Sequence, residues 1–168
     1  FLRVHKPRVV IMAPPCKMFC SMVHCFGKKW KNFAAMMKCG LRTAYIGAAV
    51  AKFQISNGNH FIAENPARSG RWKLKCWRQL FAELPHSTID QCMYGLLTEY
   101  NGALIPAKKP SAFMTNCPDV AAELGRRCDK THPHGQLVGG RASAAARYPD
   151  GLCQAICRGL QRHVARMK

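Results

Sequence analysis

Two side chains near the start of the chain carry reactive chemistry, Cys16 and Glu64, and each closes a short apolar run that proline interrupts. In Val9-Val10-Ile11-Met12-Ala13-Pro14-Pro15-Cys16 the thiol is the first reactive group past the run. In His60-Phe61-Ile62-Ala63-Glu64-Asn65-Pro66 a carboxylate stands in the same place. A thiolate is a nucleophile and a carboxyl group can give a proton, so the pair has the parts for covalent catalysis with acid support. Glu64 is the only acid between Phe1 and Ala82, a span with fifteen lysines and arginines. A carboxylate kept for solubility alone has no reason to be so solitary. The competing reading is a cysteine buried for packing, because this residue type is often buried and the chain has ten.

A second set of ligating side chains, Cys117, Cys128, His132 and His134, falls within eighteen residues. Two thiols and two imidazoles suit a tetrahedral zinc ion, although the spacing departs from the paired Cys-x-x-Cys pattern of common zinc modules. The alternative is a polar loop with two surface histidines. Positive charge is the third feature: the net charge is +18, and residues 1 to 63 hold ten basic side chains and no acid. Such a field attracts polyanions, nucleic acid first, with an acidic membrane surface or an acidic protein as the other candidates. Lys31, Lys38, Arg42, Lys52 and Lys108 are the expected phosphate contacts. A solvated helix face is the plainer reading of the same stripe.

The elements that must position these groups follow from periodicity. Val9 to Met12 reads as a buried strand stopped by two prolines, which cannot donate to a sheet ladder. A long amphipathic helix is expected from Trp30 to Ile55, after a basic loop through His24, Cys25, Lys28 and Lys29, with Trp30, Phe33, Met37, Leu41, Ala44, Ala48 and Val50 inward. A strand at His60 to Glu64, a helix at Arg71 to Leu84 and a strand at Thr88 to Tyr94 come next. An irregular loop around Asn101-Gly102 precedes a strand at Ser111 to Thr115. Residues 117–140 read as irregular. Tyr148-Pro149-Asp150 opens a last helix, with Leu152, Ile156, Leu160 and Val164 facing the core and Arg158, Arg162 and Arg166 outside. Strands alternating with helices predict an α/β layered sheet. In such sheets chemistry gathers beyond the carboxyl ends of the strands.

At 168 residues the chain suits one domain, 1–168, able to bury a core without staples. No apolar run approaches the ~18 to 20 residues that span a bilayer, and the first residues do not form a secretory signal. The cysteines lie within expected strands and helices, unlike a small disulfide scaffold, so reduced thiols in an intracellular compartment, nuclear or cytoplasmic, are expected. Phe1 opens the chain without an initiator methionine, which suggests an upstream segment.

Pro14-Pro15-Cys16 with Phe19, and Glu64-Asn65 at the end of the next strand, resemble the DNA cytosine-5 methyltransferases. The resemblance implies that Cys16 attacks carbon 6 of a flipped cytosine while Glu64 binds and protonates ring nitrogen 3, with Pro15, Asn65, Lys109 and Ser111 at the base. Asp90 to Gly95 and Lys108 to Phe113 look like the family's tyrosine-glycine turn and following basic strand, and Tyr148-Pro149 like its last motif. Lys17, Cys20 and Pro66 stand where the family has glutamine, serine and valine, and Lys109 and Ser111 where it has two arginines. No Gly-rich loop precedes Val9. The implied fold is a partial Rossmann-like methyltransferase sheet with flanking helices, lacking the N-terminal cofactor-binding half. S-adenosylmethionine would then bind only if a missing N-terminal segment is supplied. The arrangement is also similar to methyltransferase-like segments of phage and mobile-element polyproteins. That likeness implies DNA as the partner and further domains of a larger polyprotein. The alternative function is a catalytically inactive, basic nucleic-acid-binding domain of a mobile element.

Overall fold

The computed structural model of the chain describes residues 1–20, Val23 and 29–166. His24, Cys25 and Lys28 of the expected basic loop lie outside the described residues. A short helix α1 (Leu2–His5) leads into β1 (Val9–Met12), and a 3-10 turn at Lys17–Phe19 follows the proline pair. Then come α2 (Phe33–Ser56), β2 (His60–Pro66), a 3-10 turn at Gly70–Lys73, α3 (Lys75–Glu83) and β3 (His86–Asp90). A 3-10 turn at Gln91–Tyr94, the strands β4 (Leu97–Tyr100), β5 (Ala103–Pro106) and β6 (Pro110–Thr115), and the helices α4 (Pro118–Glu123), α5 (Arg141–Ala144) and α6 (Asp150–Arg166) complete the order.

The fold is mixed α/β, built on a four-stranded sheet in the order β1-β2-β6-β3. β1 and β2 are parallel, and β6 runs antiparallel to both β2 and β3, which makes β3 parallel to β2. Three strands therefore end on the same side, at Met12, Pro66 and Asp90. β1 is an edge: among the described residues only β2 pairs with it.

Strand alternation divides the core in two. Phe61 and Ala63 of β2 face α2 and α3, where Ala44, Ala48, Ala51, Trp77 and Leu80 are buried. The Trp77 indole, wholly inside, donates to the Ala44 carbonyl at 2.9 Å, so its polar atom is satisfied. Ile62 faces the other way, with Phe113, Val120, Leu124, Leu152 and Ile156. Gly159 lets α6 lie against α4, since a Cβ there would meet the Val120 Cα at 2.6 Å. No helix among the described residues is long and apolar enough to cross a membrane.

Several expectations need correction. The strand expected from Thr88 to Tyr94 runs from His86 to Asp90 and then coils, because Leu96 N–H turns back to the Gln91 carbonyl and Gly95 takes φ 88°. Arg71 to Leu84 is divided between a 3-10 turn and a shorter helix. The loop around Asn101-Gly102 is the tip of a β4–β5 hairpin, with φ of 50° and 77° at the two residues, the positive pair that a tight hairpin turn needs. Pro118–Glu123 forms a short helix inside the segment expected to be irregular. Val164 is 45% exposed and not core. Arg158 and Arg162 do ride outside, paired with Glu123 at 3.2 and 2.6 Å, and Arg166 pairs with Asp119.

Candidate active site

The proline pair that ends β1 offers no N–H, so only its carbonyls can anchor it. Both are held. The Asn65 amide donates to the Pro14 carbonyl at 3.0 Å, and the Arg71 guanidinium donates to the Pro15 carbonyl at 2.9 Å. Asn65 and Arg71 are each 1% exposed. These contacts aim the peptide of Cys16 from β2 and from the turn after it. Arg71 also lies over the Phe19 ring, 4.9 Å from its centroid.

Cys16 and Glu64 line one cavity of about 300 Å³, together with Pro15, Asn65, Lys109 and Tyr148. That size is at the lower end of the ~300–1,000 Å³ range of small-molecule sites, and it suits one flat heterocycle. Its walls are mostly apolar, with Ala13, Pro14, Pro66 and Ala146 between the polar groups. Glu64 is 7% exposed. Its Oε2 accepts from the Tyr148 hydroxyl at 3.1 Å, while its Oε1 is buried with no partner among the described residues. The Lys109 ammonium donates to the Ala145 carbonyl at 2.8 Å, which pins the cation at the rim.

Burial pushes the Cys16 thiol above its ordinary pKa, and the nearby Cys20 and Glu64 add to the rise. The backbone of Cys16 and the Lys109 ammonium pull it back down. The resting side chain is therefore the thiol. Burial is also the main reason why the Tyr148 hydroxyl is held far above its usual range, with the Glu64 carboxylate second, so Tyr148 stays a donor. The charges make a testable pair of opposite effects. Glu64→Gln removes a neighbouring negative charge and is expected to lower the pH at which iodoacetamide alkylates Cys16. Lys109→Ala is expected to raise it. Alkylation rates against pH, read by mass spectrometry at Cys16, check both; shifts of the same sign would mean that neither charge acts on the thiol.

Pro15, Cys16, Glu64, Asn65 and Lys109 thus come together, and Ser111 does not join them. Its hydroxyl is fully buried in β6 and accepts from the Gln91 amide at 2.8 Å, so it is spent inside the sheet. Lys38, Arg42 and Lys52 are exposed along the outer side of α2, away from its buried Ala44, Ala48 and Ala51, and Lys31 is exposed just before the helix. The stripe from Lys38 to Lys52 is about 21 Å long at the helical rise. None of these cations lines the cavity. Lys108 is half-buried beside His134. Arg71 and Tyr148 are site residues that sequence reasoning did not assign.

The expected metal set also changes. Cys117 is fully buried between β6 and α4 and gathers with His60 and His163, while Cys92 takes its place beside Cys128, His132 and His134. The reason is the direction of the chain: β6 ends at the opposite side of the sheet from β3, so Cys117 and Cys92 leave at opposite ends. In the Cys117 group the two Nε2 atoms of His60 and His163 are 2.7 Å apart, a hydrogen bond in which one ring donates, and His163 Nδ1 faces Asp119 at 3.3 Å. Burial, followed by the charge of His163, lowers the pKa of His60.

No family model matches the chain, and neither a curated protein nor a solved structure does.

Proposed function

We propose that the chain is the divergent catalytic half of a DNA cytosine-5 methyltransferase-like protein, in which Cys16 adds to carbon 6 of a flipped cytosine and Glu64 serves nitrogen 3. The observation that carries this reading is the convergence of Cys16 and Glu64, from two different strand ends, on one base-sized cavity. The carboxyl-end position of the cavity, the parallel β1–β2 pair and helices on both faces of the sheet support a partial Rossmann-like arrangement. A base inside a stacked duplex cannot reach such a cavity, so it must be extruded first.

The addition needs Cys16 as the thiolate, its proton given up to solvent, and a proton on Oε1 of Glu64. The sulfur then bonds to carbon 6, the carbon 5–carbon 6 π electrons shift onto carbon 5, and nitrogen 3 takes the proton from Oε1. Tyr148 occupies Oε2 and leaves Oε1 for this task. Asn65 and Arg71 position the turn, and Lys109 favours the thiolate. The described residues do not fit a whole S-adenosylmethionine, because the turns leaving β1 and β2 carry Pro14, Pro15 and Pro66 where a nucleotide cradle needs glycine and free N–H groups. The proposal therefore stops at addition to the base; further domains of a larger protein would have to supply the methyl donor.

The test is a duplex with pyrimidin-2-one in place of cytosine. That ring lacks the 4-amino group, accepts a thiol at carbon 6 readily and needs no methyl donor. A covalent protein–DNA complex that survives denaturation and maps to Cys16 is expected. Binding without an adduct would leave the second reading, a basic nucleic-acid-binding domain without turnover. The resting thiol and the exposed stripe on α2 favour that reading.

Both readings need the stripe to meet phosphates. Each neutralised phosphate releases condensed counterion, giving a log–log slope of affinity against salt of about −0.9 per contact on duplex DNA. Lys38→Ala with Arg42→Ala is expected to flatten that slope by roughly two units and to weaken all sequences alike. Fluorescence anisotropy at several salt concentrations measures it. An unchanged slope would make this face a solvated one.

A further inference from the structure

The segment that follows α4 has almost no regular structure until α5, yet its start is tied firmly to the end of β3. The Tyr94 hydroxyl donates to the Glu123 carbonyl at 3.2 Å and accepts from the Gly125 and Arg126 amides at 3.3 Å. Asp90 Oδ2 accepts from the Cys128 amide at 3.0 Å and from Arg127 Nε at 2.9 Å. These bonds bring Cys128 to the turn that carries Cys92. His132 and His134 then fold back, and the ligand atoms of all four side chains lie within 4.8 Å of one another.

The details around Cys128 go beyond proximity. Both histidines turn the same ring atom to its sulfur: Nε2 of His132 at 3.8 Å and Nε2 of His134 at 3.3 Å. Two ligands on one tetrahedral zinc, with bonds of ~2.3 Å to sulfur and ~2.0–2.1 Å to nitrogen, stand about 3.6 Å apart, between those two values. The Lys130 amide donates to the same sulfur at 3.4 Å, and Lys130 adopts φ 65° to do so. A non-glycine residue is costly in that conformation, and a thiolate acceptor offsets the cost better than a neutral thiol. Behind His132, Nδ1 faces Asp129 Oδ1 at 3.9 Å, and Thr131 fixes that carboxylate through its amide at 3.1 Å and its hydroxyl at 2.8 Å. A carboxylate behind a ligating imidazole is the usual outer partner of a metal-bound histidine. The His60–Cys117–His163 group also has a carboxylate behind one ring, Asp119 Oδ2 at 3.3 Å from His163 Nδ1, but it brings together three ligands and not four. Its two nitrogens stand at hydrogen-bond distance, closer than the ~3.3 Å that two nitrogens take on tetrahedral zinc.

We infer that Cys92, Cys128, His132 and His134 hold a structural zinc ion that clips the segment after α4 to the end of β3. Two thiolates balance the charge of the ion, and four protein ligands leave no open position for water or substrate, which makes the centre structural. It does not depend on the base chemistry proposed for Cys16.

The test uses the full chain, expressed with zinc and purified under reducing conditions. Elemental analysis after dialysis is expected to give one zinc per chain, and cobalt(II) in its place should show the visible bands of a tetrahedral site with thiolate charge transfer. His132→Ala and His134→Ala should each weaken metal binding by more than the ~10–100-fold that an outer partner is worth, and Asp129→Asn within that range. Cys117→Ser and the exposed Cys39→Ser should leave the stoichiometry unchanged. Because buried Cys92→Ser can unfold the chain outright, the histidine variants and the cobalt spectrum carry the decision. Chelation should lower Tm in the parent and not in His134→Ala. The inference is overturned by a protein that holds no zinc after dialysis, by metal that ignores both histidine variants, by metal lost on Cys117→Ser, or by a Cys92–Cys128 disulfide under the same conditions.

Discussion

Cys16→Ser is expected to abolish covalent capture of a pyrimidin-2-one duplex while leaving the fold in place. Serine matches the thiol in shape, and the contacts that hold this turn are made by the Pro14 and Pro15 carbonyls and not by the side chain. What is lost is the ionisable sulfur, and a serine hydroxyl has no comparable nucleophilic form near neutral pH. DNA affinity should be unchanged, because the stripe on α2 is untouched. Capture that survives would move the reaction to Cys20, whose sulfur donates to the Lys17 carbonyl at 3.1 Å and lies outside the cavity lining. A change in the circular dichroism spectrum with lost capture would make the side chain structural.

Glu64→Gln is the second large effect, and its strength as a test comes from two readouts that move in opposite directions. The amide keeps the shape and can still accept from Tyr148, but it cannot deliver a proton to nitrogen 3. Addition to the base is expected to fall by the ~100-fold or more typical of a lost general acid. Alkylation of Cys16 by a small reagent should become easier at a given pH, since a negative neighbour has gone. A merely structural Glu64 would slow both reactions together or neither. Rates of adduct formation and of alkylation on the same preparation decide it.

The two strand ends that meet at the cavity are legible in the sequence because the signal is local: a short apolar run, a proline and a side chain able to react. Alternation within β2 explains why Glu64 meets its partner. It shares a face with Ile62, so it points to the side where α6 begins and Tyr148 stands. Nothing in the spacing announces that bond, which joins residues 84 positions apart. Arg71 was hidden for a related reason: its role is set by a carbonyl in another element, and a basic residue after a strand reads as surface. Nearness in sequence groups Cys117 with Cys128, His132 and His134, whereas the antiparallel direction of β6 sends Cys117 to the far end of the sheet. Ser111 was placed by likeness to a motif, but Gln91 claims its hydroxyl. The β4–β5 hairpin is different. Its Asn-Gly pair is a local hairpin signal that was open to reading in the sequence.

The unpaired side of β1 has a consequence for how the molecule behaves in a tube. Among the described residues nothing pairs with that edge, and Ile11 on it is 52% exposed. A bare strand edge is a template for another strand, and at high concentration the readiest supply is a second copy of the chain. A net charge of +18 holds copies apart by mutual repulsion, which added salt screens. If the chain holds a polyanion as proposed, salt pulls in two directions: it loosens that hold and, by the same screening, lets copies of the protein approach edge to edge. An ionic strength that released a bound polyanion would then also weaken the repulsion that keeps copies of the chain apart.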